Sequence, residues 1–159
     1  MCNKPVDGLQ REVAIYIADD AVEVRVRGWR RLVALHCTLE IALEEALQHH
    51  DLSVVEYTVL DALHSQSGWH MHMHQLARTA ALSSSATTRL IARLERRGLL
   101  ERQPCTSDRR RVYTELTQAG ADLLHQVRPL HDRTLDEALD GAALIKELAP
   151  LVEALERSP

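Results

Sequence analysis

Phenylalanine is absent from the 159 residues, and two tryptophans with three tyrosines supply every aromatic ring. The core must therefore be built from Leu, Val, Ile and Ala, and their recurrence at spacings of three and four points to helix. Cysteine is scarce and odd in number. Cys2, Cys37 and Cys105 stand far apart and form no C-x-x-C pair, which excludes a disulfide framework and a zinc finger. No run of about 18 apolar residues occurs, so no membrane span is expected. Lys4 is followed by Asp7, Arg11 and Glu12 before any apolar stretch, unlike a secretory signal, and the expected location is the cytoplasm. Also missing are G-x-S-x-G, a P-loop, a dinucleotide fingerprint and H-E-x-x-H. No enzymatic activity and no cofactor are expected. The one enzyme alternative is a metal-dependent one built on His70, His72 and His74.

What is present is an uneven distribution of charge. The net charge is -4. From Arg78 to Arg111, however, nine arginines face only Glu95, Glu101 and Asp108, a balance of +6, so the remainder carries -10. A basic face on an otherwise acidic protein attracts a polyanion at one surface and repels it elsewhere.

Residues 1 to about 20 are weakly patterned and fit either a short helix or an extended arm. From about residue 21 to 50 the spacing predicts a helix with Trp29, Leu32, Val33, His36, Leu39 or Glu40, Leu43 and Leu47 on one side. Leu35, Ile41 and Ala42 widen that arc, so a second face is expected to be buried against another subunit. Ser53-Val54-Val55-Glu56 is a capping box that opens a second helix to about Ser65, ended by Ser67-Gly68. Trp69 to His74 alternates as a short strand with Met71 and Met73 on one face and His70, His72 and His74 on the other.

A third helix, about His74 to Ala80, precedes a turn plugged by Leu82, and Ser83 caps the fourth helix. There Thr87, Leu90, Ile91 and Leu94 share one face. Ser84, Ser85, Thr88, Arg89, Arg93 and Arg96 lie outside it. Gly98 supplies a left-handed end. Leu99 to Gln103 and Arg111 to Leu116 read as paired strands around an arginine-tipped loop. Thr117 caps a long fifth helix, which Pro129 should kink. After Gly141 a last helix carries Leu144, Leu148, Leu151 or Val152, and Leu155. The whole is mainly α with a small β-hairpin wing: a winged helix-turn-helix lobe at 53-116 inside one domain, 1-159, with helical regions at 21-50 and 117-157.

Asp108-Arg109-Arg110, five residues and Leu116-Thr117 resemble the D-x-R-x-x-x-x-x-L-T wing signature of the MarR family of bacterial transcription factors. Ser84 through Leu99 is similar to that family's recognition helix. Trp29-Arg30-Arg31-Leu32 and Leu52 through Tyr57 resemble its first two helices, particularly in actinobacterial members. The resemblance implies a homodimer joined through the first, fifth and sixth helices, acting on double-stranded DNA at a pseudo-palindromic operator with half-sites about 10 bp apart. It implies that Ser84, Ser85, Thr88 and Arg89 face the major groove, that Arg110 enters the minor groove and that Asp108 holds the wing arginine. Arg93 and Arg109 join the DNA-binding set. For Arg93, Arg96 and Arg97 the alternative is phosphate contact or plain solvation, and for Arg96 and Arg97 it is the favoured reading. The function expected is a repressor released by a small effector, with an aromatic acid favoured.

Three further signals compete. His70, His72 and His74 on alternate strand positions would place imidazoles about 7 Å apart. An exposed strand edge is the simpler reading, and no metal site is assigned. Cys105, near Arg109 to Arg111, is the redox candidate because a reactive thiol needs a nearby cation. Cys37 is expected to be a small core residue. Trp29, Arg30 and Tyr57 are candidates for an aromatic-acid pocket such as relatives have, against the alternative that the two rings only pack.

Overall fold

The computed structural model describes residues 7–104 and 112–157, with side chains from residue 20 onward. The helices are α1 (Asp7–Gln48), α2 (Val54–His64), α3 (Met73–Thr79), α4 (Ser84–Arg96), α5 (Gln118–Ala143) and α6 (Ala149–Glu156). The strands are β1 (His70–His72), β2 (Leu100–Pro104) and β3 (Val112–Leu116). Residues up to Leu39 with those from Ala138 form one compact unit, and Glu40–Glu137 forms the other.

α1 runs from Asp7, so the segment expected as an ambiguous arm is helical over most of its length. It holds no glycine after Gly8 until Gly28 and no proline, and nothing in that stretch stops a helix. Leu35, Leu43 and Leu47 are buried and Leu39 is half-buried, an i+4 ladder down one side. Cys37 is exposed rather than buried. Two residues beyond Leu35 it has turned about 200° away from that ladder. Trp29, Leu32, Val33 and Ile41 are also exposed, so the broad apolar arc is only partly covered within one chain.

The second unit holds the larger core. Leu47, Leu60, Leu63, Leu76, Ile91, Leu94, Leu100 and Leu124 are all at most 1% exposed, so leucine does the work that phenylalanine would do elsewhere. Ser53 caps α2 as expected: its Oγ accepts the Glu56 amide at 3.2 Å while the Glu56 carboxylate accepts the Ser53 amide at 2.9 Å. The sheet is three-stranded and antiparallel in the order β1-β3-β2. His70 pairs with Glu115, and Leu100 with Leu116.

β1 is shorter than the alternation suggested. The Gln75 side chain accepts the His72 amide at 2.9 Å, which starts α3 at Met73. His74 therefore sits in a helical turn, and the face of three alternating imidazoles does not form. At the other end of the unit, Thr117 joins α5 to the sheet. Its amide donates to the Leu99 carbonyl at 3.1 Å and its hydroxyl to the Gly98 carbonyl at 2.7 Å.

α5 continues through Pro129 and through Gly141, so Gly141 is not the boundary expected of it. The break comes at 144–148, where Leu144 and Ile145 donate three residues back to Gly141 and Ala142. Pro150 then sits in the first turn of α6, where a missing donor costs nothing. Leu144 consequently lies in the turn and is 88% exposed, whereas Leu35, Ala142, Leu148 and Val152 pack together in the first unit. Leu155 is exposed as well. Among the described residues no helix is long and apolar enough to cross a membrane.

Candidate nucleic-acid interface

The α3–α4 turn is compact because its backbone is satisfied locally. The Ala80 amide donates to Leu76, Ala81 to Arg78 and Leu82 to Ala77. Ala81 takes a left-handed φ of 52°, a conformation that costs a non-glycine residue about 1–2 kcal/mol and that its alanine identity did not advertise. Leu82 packs against the core beside it, as the plug of the turn. Ser83 then caps α4, its Oγ accepting the Ala86 amide at 3.3 Å.

α4 separates its two faces completely. Thr87, Leu90, Ile91 and Leu94 are buried, and the Thr87 hydroxyl is satisfied by the Ser83 carbonyl at 2.9 Å. Ser84, Ser85, Thr88 and Arg89 are exposed on the other side. The Thr88 hydroxyl donates to the Ser84 carbonyl at 2.9 Å, and Ser85 Oγ lies 3.2 Å from Ser83 Oγ. Thr88 thus keeps its oxygen lone pairs free as acceptors, and Arg89 carries a planar fork of donors. Hydroxyls and a guanidinium on the first two turns of an exposed helix match the donor and acceptor pattern of base edges.

Further along α4 the arginines are engaged with acids. Arg93 Nε donates to Glu56 Oε1 at 2.8 Å, and Arg97 lies 3.5 Å from both Glu56 and Asp51. Arg102 on β2 pairs with Glu95 at 3.3 Å. Glu56 is only 4% exposed, so spacing alone revealed its capping role and not this second one. An open groove of about 600 Å³ borders the network, with Glu44, Asp51, Ser53, Glu56, Arg93 and Arg97 in its walls. Arg96 is exposed.

β2 and β3 pair as far as Pro104 with Val112. Cys105, Asp108, Arg109 and Arg110, to which the wing signature and the redox reading were assigned, lie outside the described residues.

The pocket candidates fall in different units, Trp29 and Arg30 in one and Tyr57 in the other. Trp29 is 64% exposed, whereas Tyr57 is 5% exposed and stacks on His131 with centroids 4.0 Å apart and planes 14° from parallel. Burial first, then the nearby Asp61 and Asp132 carboxylates, push the Tyr57 phenol up to about 12, so it remains a neutral donor at physiological pH. His70 contacts Tyr113 at 5.0 Å, and His72 stacks with His74 at 5.8 Å. Among the described residues no cluster of three or more His, Cys, Asp or Glu side chains is disposed to hold a metal.

Residues 50–111 match the model of the MarR family. The crystal structure of AbsC, a MarR family transcriptional regulator from Streptomyces coelicolor, is 30% identical over 82% of this chain and 93% of its own, with a TM-score of 0.66. Sco3205, a MarR family regulator of the same organism solved in complex with DNA, is 27% identical over 80% of this chain and 81% of its own, at 0.69. A mutant of MarR from E. coli complexed with operator DNA is 25% identical over 80% of this chain and 90% of its own, at 0.67. A three-stranded wing, a capped helix with one apolar and one donor-rich face, and these likenesses together establish that the chain belongs to the MarR family of transcriptional regulators.

Proposed function

We propose that this protein is a homodimeric repressor that binds a pseudo-palindromic operator in the cytoplasm and leaves it when a small effector binds. The observation that carries the reading is α4. Its buried face is fully used in the core while Ser84, Ser85, Thr88 and Arg89 stand exposed from a capped N-terminus. Those four side chains read bases in the major groove, and Arg93 contacts phosphate. Arg109 and Arg110 follow the backbone and minor groove, with Asp108 holding the wing arginine.

Dimerisation is supported by α1. Val22, Val26, Trp29 and Val33 recur at intervals of four, three and four, and each is at least 39% exposed. That is the repeat with which one helix covers another. The helical regions 21-50 and 117-157 form the dimer base, and 53-116 forms the DNA-reading lobe. Release requires that the effector bind a spacing of the two lobes that does not fit DNA better than one that does. An aromatic acid is the effector favoured, whereas an oxidant would act at Cys105.

Selection of bound duplexes from a random pool tests the reading. Enrichment of an inverted repeat with half-site centres about 10 bp apart, in complexes holding two chains, is expected. No enrichment, or an asymmetric site bound by one chain, overturns it. Aromatic acids, metals and oxidant, added singly to the complex, identify the effector class.

A further inference from the structure

We propose that Glu56 is a positioning residue for DNA binding, which aims Arg93 of α4 at the phosphate backbone. The inference rests on the DNA-binding reading above and adds to it a residue that touches no DNA.

A capping box needs one carboxylate oxygen and leaves the other to solvent. Glu56 is built differently. Oε2 accepts the Ser53 amide at 2.9 Å and the Ser53 hydroxyl at 3.2 Å, which completes the cap. Oε1 is turned to α4, 37 residues away, and takes Arg93 Nε at 2.8 Å with Arg97 Nη1 at 3.5 Å. The Glu56 side chain is 5% exposed, yet that of Arg93 is 52% exposed. One end of the guanidinium is therefore fixed by a buried anion while much of the side chain stays in water.

Arg89 and Arg93 on α4 and Arg97 at its C-cap follow one another at i+4, about one helical turn apart. Arg97 is the more enclosed, at 26% exposure, and is shared between Asp51 and Glu56. Arg89 is exposed at the leading end. Arg93 stands between them, about 6 Å behind Arg89 along the axis. When the start of α4 enters the major groove, that position meets the phosphates of the groove wall. An arginine surrenders much rotamer freedom when it makes a directed contact. Fixing Nε before DNA arrives removes part of that cost, and Glu56 also relieves the repulsion among three like charges stacked on one face.

Glu56→Gln tests this in the full chain, on the duplex that the wild type enriches. The amide oxygen still serves the Ser53 cap, but the group facing Arg93 becomes a donor. Affinity should fall about three- to tenfold, and the same substitution in an Arg93→Ala background should change it far less, since only the Arg97 contact is left to lose. The slope of log affinity against log salt should drop by about one phosphate contact, as it should for Arg93→Ala. A merely structural role would weaken both backgrounds equally and leave the slope alone. Should Glu56→Gln fail to fold, Arg93→Lys replaces it. It keeps the charge but has no Nε donor, and the proposal requires the same loss. Unchanged or higher affinity in Glu56→Gln, equal loss in both backgrounds, or wild-type affinity in Arg93→Lys overturns the inference alone. A wild type that enriches no duplex overturns the DNA-binding reading and this inference with it.

Discussion

Gly120→Ala should destabilise the protein, although alanine is the better helix former. Gly120 lies in the first turn of α5, and a Cβ added there would meet the Leu99 carbonyl oxygen at 2.3 Å and Leu116 Cδ1 at 2.6 Å. The leucine methyl can rotate away. The carbonyl cannot, because it already accepts the Thr117 amide at 3.1 Å while the Leu99 amide is bonded to the Leu94 carbonyl at 3.1 Å. The start of α5 would have to lift from the sheet. In open space the substitution would gain up to about 1 kcal/mol of helix propensity. Forcing a methyl into a filled site costs about 1–3 kcal/mol. The net loss reaches about 2 kcal/mol, or roughly 4–8 °C of thermal midpoint for a chain of this length. Circular-dichroism melts of wild type and variant at one fixed protein concentration measure it, since dimerisation makes the midpoint concentration-dependent. An equal or higher midpoint for Gly120→Ala would refute the reasoning.

Ser83→Ala removes the acceptor of the Ala86 amide and should cost about 1 kcal/mol in urea unfolding, as loss of a helix cap does; a midpoint unchanged from wild type would show that the cap contributes nothing. Tyr57 should ionise at about pH 12 in an ultraviolet titration. Because the fold raises its pKa above the unfolded value, its contribution is fully present below about pH 10 and is lost as pH rises toward 12, the unfolded chain giving up the proton first. Tyr57→Phe should remove that part of the alkaline stability slope, and ionisation of Tyr57 near the ordinary tyrosine value would contradict the burial argument.

The features legible in the sequence are those decided within one or two helical turns. The Ser53–Glu56 box, the Ser83 cap, the left-handed Gly98 at φ 71° and the buried quartet Thr87, Leu90, Ile91 and Leu94 are all local consequences of spacing and side-chain chemistry. What was not legible depends on contacts distant in sequence. Nothing in the order of residues joins Glu56 to Arg93, or brings Gly120 against Leu99. Cys37 and Trp29 show the complementary difficulty. Apolar spacing says that a helix has faces to bury, but one chain covers only the side carrying Leu35, Leu43 and Leu47. The α3 boundary moved for a third reason, since a single Gln75 side-chain bond outweighed the alternation that read as strand through His74. The residues expected to read bases drew on both kinds of information: exposure on α4 came from periodicity, and their chemical role from the family's wing and helix motifs.

The most direct measurement of the central claim, that the exposed start of α4 reads bases, is random-pool selection run in parallel on wild type and Arg89→Ala. Both should enrich the same inverted repeat and half-site spacing. The variant should bind about 1–3 kcal/mol more weakly and lose its preference at one position in each half-site. An identical base preference at every position would contradict it.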